Sequence, residues 1–145
     1  MTVKLVIGLD GAETGDRALA FAKDLGKMIG DCELIVAYVI EWSPFTFQTP
    51  EENAQRHKRR EEELKLATDR IVDPAVAALT AEGFNARGIV RHGDVADTLN
   101  AITNENGGSQ IIVGRVSESG FAKRLFGSST SNLVMDADVP VTVVG

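Results

Sequence analysis

Three short apolar runs, Val3–Leu9, Leu34–Ile40 and Ile111–Val113, constrain this chain more than any other feature. A strand with one wet face alternates polar and apolar residues, whereas a strand covered on both faces reads as a nearly continuous apolar run. Between the first two runs the period changes. From Gly15 to Ile29 the residues Ala18, Phe21, Ala22, Leu25, Met28 and Ile29 recur at helical spacing, and Gly30 supplies a stop. Strands that alternate with helices pair in parallel, because each crossover needs a long connection. The expected architecture is an open α/β sandwich, a parallel sheet with helices on both faces.

The remaining segments fit that scheme. Asn85–Val90 reads as a weaker strand with Gly88 inside it, and Val141–Val144, introduced by Pro140, as a fifth. Asp94 is placed to cap a helix with Asp97 in its first turn and Val95, Leu99 and Ile102 as its core contacts. A charged helix is expected from about Glu51 to Ala81, with Ala67, Ile71, Ala75, Ala78 and Leu79 facing inward. Asp73-Pro74 should kink or divide it, and Gly83 should end it. A short helix after Ser128 carries Leu133 and Val134. From Glu41 to Asn53 no period holds. Trp42, Pro44, Phe45, Phe47 and Pro50 crowd this stretch, either covering the sheet edge or forming a lid or partner surface.

Composition narrows the function. A chain of 145 residues suits one domain, 1–145. The net charge of -6 argues against general nucleic-acid binding, and no apolar run is long enough to cross a membrane. Cys32 is alone, so internal disulfides and cysteine metal clusters are excluded, and it should pack as a small apolar residue at a strand start. Met1–Lys4 leads straight into a strand pattern without a signal-peptide layout, and cytoplasmic localisation is expected. His57 and His92 have no ligand-spaced partners, so no metal site is expected. The basic run Arg56–Arg60 is followed by Glu61–Glu63. Lys58–Glu62 and Arg59–Glu63 fall at i,i+4 spacing, which predicts a self-paired solvated face.

The chemistry lies where the apolar runs stop. Asp10-Gly11 puts a carboxylate at the carboxyl edge of the sheet, where open α/β sheets take ligands; capping the next helix is its alternative role. Ile111–Val113 ends at Gly114, and a loop containing Gly120, Lys123 and Arg124 closes on Gly127-Ser128-Ser129 before a helix. Backbone N–H groups and a positive helix end suit a phosphate there. Lys123 and Arg124 are equally compatible with attracting phosphate and with a solvated loop. The P-loop and G-x-G-x-x-G patterns are absent, and no catalytic residue is assigned.

From Gly114 to Ser129 the sequence resembles the universal stress protein family, and the likeness covers the whole chain. The family motif is Gly, two residues, Gly, nine residues, then Gly-Ser or Gly-Thr. Gly114, Gly127 and Ser128 hold its first, third and final positions, and S-G-F-A-K-R-L-F, V-P-V-T-V-V and V-I-G-L-D-G are also similar. The resemblance implies an adenine nucleotide alpha hydrolase-like fold with strand order 3-2-1-4-5. It also implies ATP, with or without Mg²⁺, or another adenine nucleotide bound across the carboxyl ends of the strands. Asp10 would then meet the ribose or base, Val39 would line the adenine pocket, and Gly93 would lie near the cleft, a tight turn before Asp94 being its equal alternative role. Gly114, after Val113 at the strand end, would hold the phosphates with Gly127, Ser128 and Ser129, and Ser117 is a further candidate donor.

Ser117 stands where the motif has its second glycine, and Glu118 where the family often has a basic residue. A serine there donates to phosphate if its backbone is ordinary and is strained if the site needs a positive φ. A carboxylate beside a triphosphate is repulsive unless it faces solvent or Mg²⁺ intervenes.

The resemblance further implies a homodimer through the C-terminal strand, whose V-T-V-V has no charged guard if it lies at the sheet edge. The resulting expectation is a cytoplasmic, nucleotide-binding regulator of a stress response, read by a protein partner. Two alternatives stand beside it. One is a stress protein without nucleotide that acts through protein contacts, which Ser117 and Glu118 favour. The other is a slow ATP hydrolase, which needs a water-positioning group at a spacing this sequence does not show.

Overall fold

The computed structural model describes residues 2–11, 13–41, 49–115 and 130–145, with the side chains of residues 13 and 14 left aside. Its strands are β1 (Val3–Leu9), β2 (Cys32–Glu41), β3 (Asn85–Gly93), β4 (Gln110–Gly114) and β5 (Val141–Val144). They form one parallel sheet in the order β3-β2-β1-β4-β5, as expected. The helices are α1 (Glu13–Ile29), α2 (Pro50–Ala67), α3 (Asp73–Ala81) and α4 (Val95–Asn106), and residues 130–136 are also helical.

The apolar runs are continuous because the sheet has two cores. Leu5 and Ile7 of β1 point into one with Ala18 and Ala22 of α1 and Leu79 of α3. Val6, between them, points into the other with Leu99 and Ile102 of α4 and Leu133. All three β1 residues are fully buried. Each large apolar side chain removed from water contributes about 1.5–3 kcal/mol.

The long charged helix divides near Pro74, with a π turn at Thr68–Val72 between α2 and α3. Proline lacks an N–H, and its ring crowds the carbonyl four residues earlier, that of Arg70, so ordinary helical bonding gives way there. The wider turn brings Val72 onto the inward face beside the expected Ile71, Ala75 and Leu79. Ala67 and Val72 are both buried, Val76 packs behind them, and the expected Ala78 is exposed. Gly88 of β3 makes this possible, since a Cβ there would overlap Val72 Cγ1.

Other expectations change at the margins. On α1 the central positions Ala18, Ala22, Leu25 and Ile29 face the sheet, while Phe21 and Met28 lie on the rim, 38% and 78% exposed. The sheet covers one stripe of the helix, and these two fall outside it. Val134 is also exposed, whereas Leu133 is buried. β2 and β3 run longer than their apolar cores, because pairing continues through Val39↔Arg91, Ile40↔His92 and Glu41↔Gly93.

Among the described residues, Lys58–Glu62 and Arg59–Glu63 do not pair. His57–Glu61 (3.0 Å) and Lys65–Asp69 (2.9 Å) do. Glu63 sits on the inner side of α2 and meets His92 Nε2 at 3.0 Å instead. Cys32 opens β2 and packs at the α1-side core, as expected. Burial, then the neighbouring charges of Asp31 and Glu33, pushes its thiol pKa up.

β5 forms one edge of the sheet, and its position is set by the turn before it. Asp138 accepts from Asn104 Nδ2 at 2.8 Å and donates its backbone N–H to Asn100 Oδ1 at 3.2 Å, which ties the turn to α4. Thr142 then donates to Gln110 Oε1 of β4 at 2.7 Å.

Candidate functional site

The strand register brings the described candidate residues to one edge. Gly8 is level with Ala37 and Val113, and Leu9 with Tyr38. One residue further along, Asp10 follows the end of β1, Val39 pairs with Arg91 two residues before β2 ends, Gly114 follows Val113, and Gly93 closes β3 opposite Glu41. Val39 and Val113 belong to the α4-side core, 9% and 2% exposed, so the edge is backed by apolar packing on that face. Gly114 is buried and carries no side chain.

Asp10 has a structural task as well as its position at the edge. Its Oδ1 accepts from the Gly15 backbone N–H at 3.1 Å, which satisfies one of the free donors in the first turn of α1. The helix-capping role is therefore real. It engages one carboxylate oxygen and fixes the orientation of the side chain. Asp94 does the same for α4, where its Oδ2 accepts from Asp97 N–H at 3.0 Å. Gly93 is thus the last strand residue before a capped helix, and its backbone lies beside that helix start.

Two residues at this edge had no distinguishing signal in the sequence. Tyr38 ends one of the apolar rows, and its phenol pKa is raised, chiefly by burial and further by the charge of Asp10. Arg17 reaches from α1 across to β4, where its Nη2 donates to the Arg115 carbonyl at 2.8 Å. The bond spans 98 residues of sequence, a separation no local pattern reports.

On the other face of the edge lies a cavity of about 350 Å³ between α1 and the π turn, with Gly11, Gly15 and Leu19 on one side and Arg70 and Ile71 on the other. It contains none of the predicted site residues. The cavity flanks the edge rather than holding its candidate chemistry.

Ser117, Gly127, Ser128 and Ser129 lie outside the described residues, as do Glu118, Gly120, Lys123, Arg124, Trp42, Pro44, Phe45 and Phe47. Among the described residues no group of three or more histidine, cysteine, aspartate or glutamate side chains is arranged to hold a metal. No described helix is long and apolar enough to cross a membrane.

Comparison with known proteins completes the picture. The family described as "Universal stress protein family" matches residues 1–145. No curated protein matches the chain. Among solved structures, the universal stress protein UspA from Lactobacillus plantarum is similar at 18% identity and a TM-score of 0.79, over 99% of this chain and 97% of that one. A universal stress protein in complex with cAMP is 22% identical with a TM-score of 0.62, over 99% and 96% of the two chains. A universal stress protein from Archaeoglobus fulgidus in complex with dAMP is 17% identical with a TM-score of 0.59, over 99% and 98%.

Proposed function

The chain belongs to the universal stress protein family, and on that premise we propose that it binds an adenine nucleotide across the carboxyl edge of its sheet. The proposed protein is a single domain over residues 1–145, a cytoplasmic regulator in a stress response whose nucleotide state is read by a protein partner. The observation that supports this reading is the register, which brings Asp10, just past β1, Gly93 and Gly114, the last residues of β3 and β4, and Val39 and Val113, within two residues of the ends of β2 and β4, to the carboxyl half of four adjacent strands. The cAMP and dAMP complexes of two structural neighbours support the adenine nucleotide class.

The described half of the site fits such a ligand. Val39 and Val113 back the edge with apolar packing, and Asp10 offers a carboxylate to a ribose hydroxyl or base amine. Gly114 allows a polyphosphate near the backbone. In this reading Ser117, Gly127, Ser128 and Ser129 take the phosphates of ATP, and bound Mg²⁺ supplies charge neutralisation. The reading assigns no residue to catalysis.

A thermal-shift series with ATP, ADP, AMP, cAMP and GTP tests the proposal. A ligand that binds only the folded state raises the melting temperature by mass action. The adenine compounds should do so and GTP should do so less. An absence of shift with every adenine compound contradicts the reading. A phosphate-release assay on the same samples should stay at background, and steady release abolished by Asp10→Ala would make the protein a hydrolase.

One observation favours the nucleotide-free alternative, the departure from the motif at Ser117 and Glu118. Ser117→Gly decides how much it matters: a large gain in ATP affinity would show that Ser117 impairs the native site.

The proposed homodimer forms through β5. That strand lies at the sheet edge, carries no charge, and leaves Val143 38% exposed. Val143→Pro removes a backbone donor there and should yield monomers in light scattering. If the variant stays folded and dimeric with unchanged stability, β5 is not the interface.

A further inference from the structure

Arg17 is the least expected feature of the carboxyl edge. Its Nε is buried and has no hydrogen-bond partner, and it is the one such side-chain atom among the described residues. A buried donor left unpaired is unfavourable, so the bond that holds the guanidinium in place matters more than usual. That bond is the donation from Nη2 to the Arg115 carbonyl at 2.8 Å. Arg115 in turn donates its backbone N–H to Val144 O at 2.6 Å. The two peptide units that flank Arg115 are therefore held, the carbonyl from α1 and the N–H from β5.

We infer that Arg17 is a positioning residue of the cleft, fixing the point at which β4 ends so that Gly114 presents its backbone to the ligand. Asp10 anchors the first turn of α1 through Gly15, and Arg17 follows on the next turn. One rigid helix thus ties the Asp10 side of the edge to the Gly114 side. The functional part of this inference rests on the adenine-nucleotide reading, while the mechanical part does not.

The arrangement makes a specific demand. One N–H of the guanidinium is in use, so a lysine ammonium at the same place can supply the bond, whereas methionine keeps the apolar stem and supplies none. Arg17→Met and Arg17→Lys are compared with wild type by hydrogen exchange at the Arg115 amide without nucleotide, and by calorimetric titration with ATP. Arg17→Met should speed exchange at Arg115 and weaken ATP binding, each by about tenfold, with a melting temperature within about 3 °C of wild type. Arg17→Lys should restore both.

Wild-type exchange at Arg115 in Arg17→Met overturns the inference whether or not nucleotide binds. So does wild-type ATP affinity in that variant, or a uniform rise in exchange along α1 with a matching fall in stability. If Arg17→Met does not fold, Arg17→Lys decides: a tenfold loss in it overturns the single-bond account, and wild-type behaviour supports it. If the wild-type protein itself gives no ATP binding, the nucleotide reading fails, and exchange at Arg115 still decides whether Arg17 holds the end of β4.

Discussion

The two ends of the sheet are held in different ways. At the amino end the helix-to-strand turns before β2, β3 and β4 each pass through a glycine of positive φ, at Gly30 (90°), Gly83 (92°) and Gly107 (69°). Backbone meets backbone there, Val3 N–H to Asp31 O at 3.0 Å, Ser109 N–H to Lys4 O at 2.7 Å, and Gly108 N–H to Thr103 O at 2.8 Å, with side-chain ties at Asp138 and between Arg87 and Glu33 beside them. At the carboxyl end side chains add to backbone bonds such as Arg115 N–H to Val144 O. Asp10 bonds to Gly15, Arg17 to Arg115, Asp94 to Asp97 and Glu63 to His92. Turns satisfied by their own backbone have few groups left for a ligand. An edge held by side chains has acceptors and donors that can be shared with one. The proposed binding lies at the second end.

That contrast can be broken by substitutions at either end. The largest loss of stability is expected at the amino end with Gly108→Ala, whose Cβ would sit 2.7 Å from Thr103 Cγ2 and 3.1 Å from Val6 Cγ2. Overpacking of this kind costs about 1–3 kcal/mol, measurable by urea unfolding, and ATP affinity should stay within about twofold of wild type if the ends are independent. An affinity loss that tracks the stability loss would merge the two ends into one unit.

Asp10→Ala is the matching change at the carboxyl end. Losing the acceptor for Gly15 N–H should cost about 1 kcal/mol of stability, while ATP affinity falls by tenfold or more, as expected for a lost charged contact of about 1.5–3 kcal/mol. Loss of stability with affinity intact would leave Asp10 as a helix cap and nothing else.

The smallest effect concerns Tyr38. Burial and the Asp10 charge raise its phenol pKa in the folded protein. Its contribution to stability is therefore present below the ordinary phenol value of about 10 and is lost as pH rises through the folded value. Wild type should lose stability in that alkaline range more steeply than Tyr38→Phe, as followed by denaturant unfolding at a series of pH values. Parallel curves would mean that the phenol is not held neutral by its surroundings.

The sheet was legible in the sequence because continuous apolar runs have few other uses in a chain of this length. The Asp94 cap was legible for a similar reason, since a carboxylate three residues before Asp97 at a helix start has a local function. Contacts made across the fold were not. Arg17 reads as one more charged helix residue until β4 is placed beside α1. Glu63 fits an i,i+4 pair equally well until β3 brings His92 to it. The proline break was visible at Pro74, but the extra residue of the π turn was not. Its phase depends on Val72 meeting Gly88, which belongs to another strand. The proposed nucleotide site is half legible: the register brings Asp10, Val39, Gly93, Val113 and Gly114 to one edge, while its proposed phosphate half rests on the motif from Gly114 to Ser129.

Calorimetric titration of the wild-type protein with ATP and Mg²⁺ tests the central claim most directly. Saturable binding of one nucleotide per chain, weakened by Asp10→Ala and preserved in Gly108→Ala, is the predicted result. No heat and no thermal shift at millimolar ATP would contradict it.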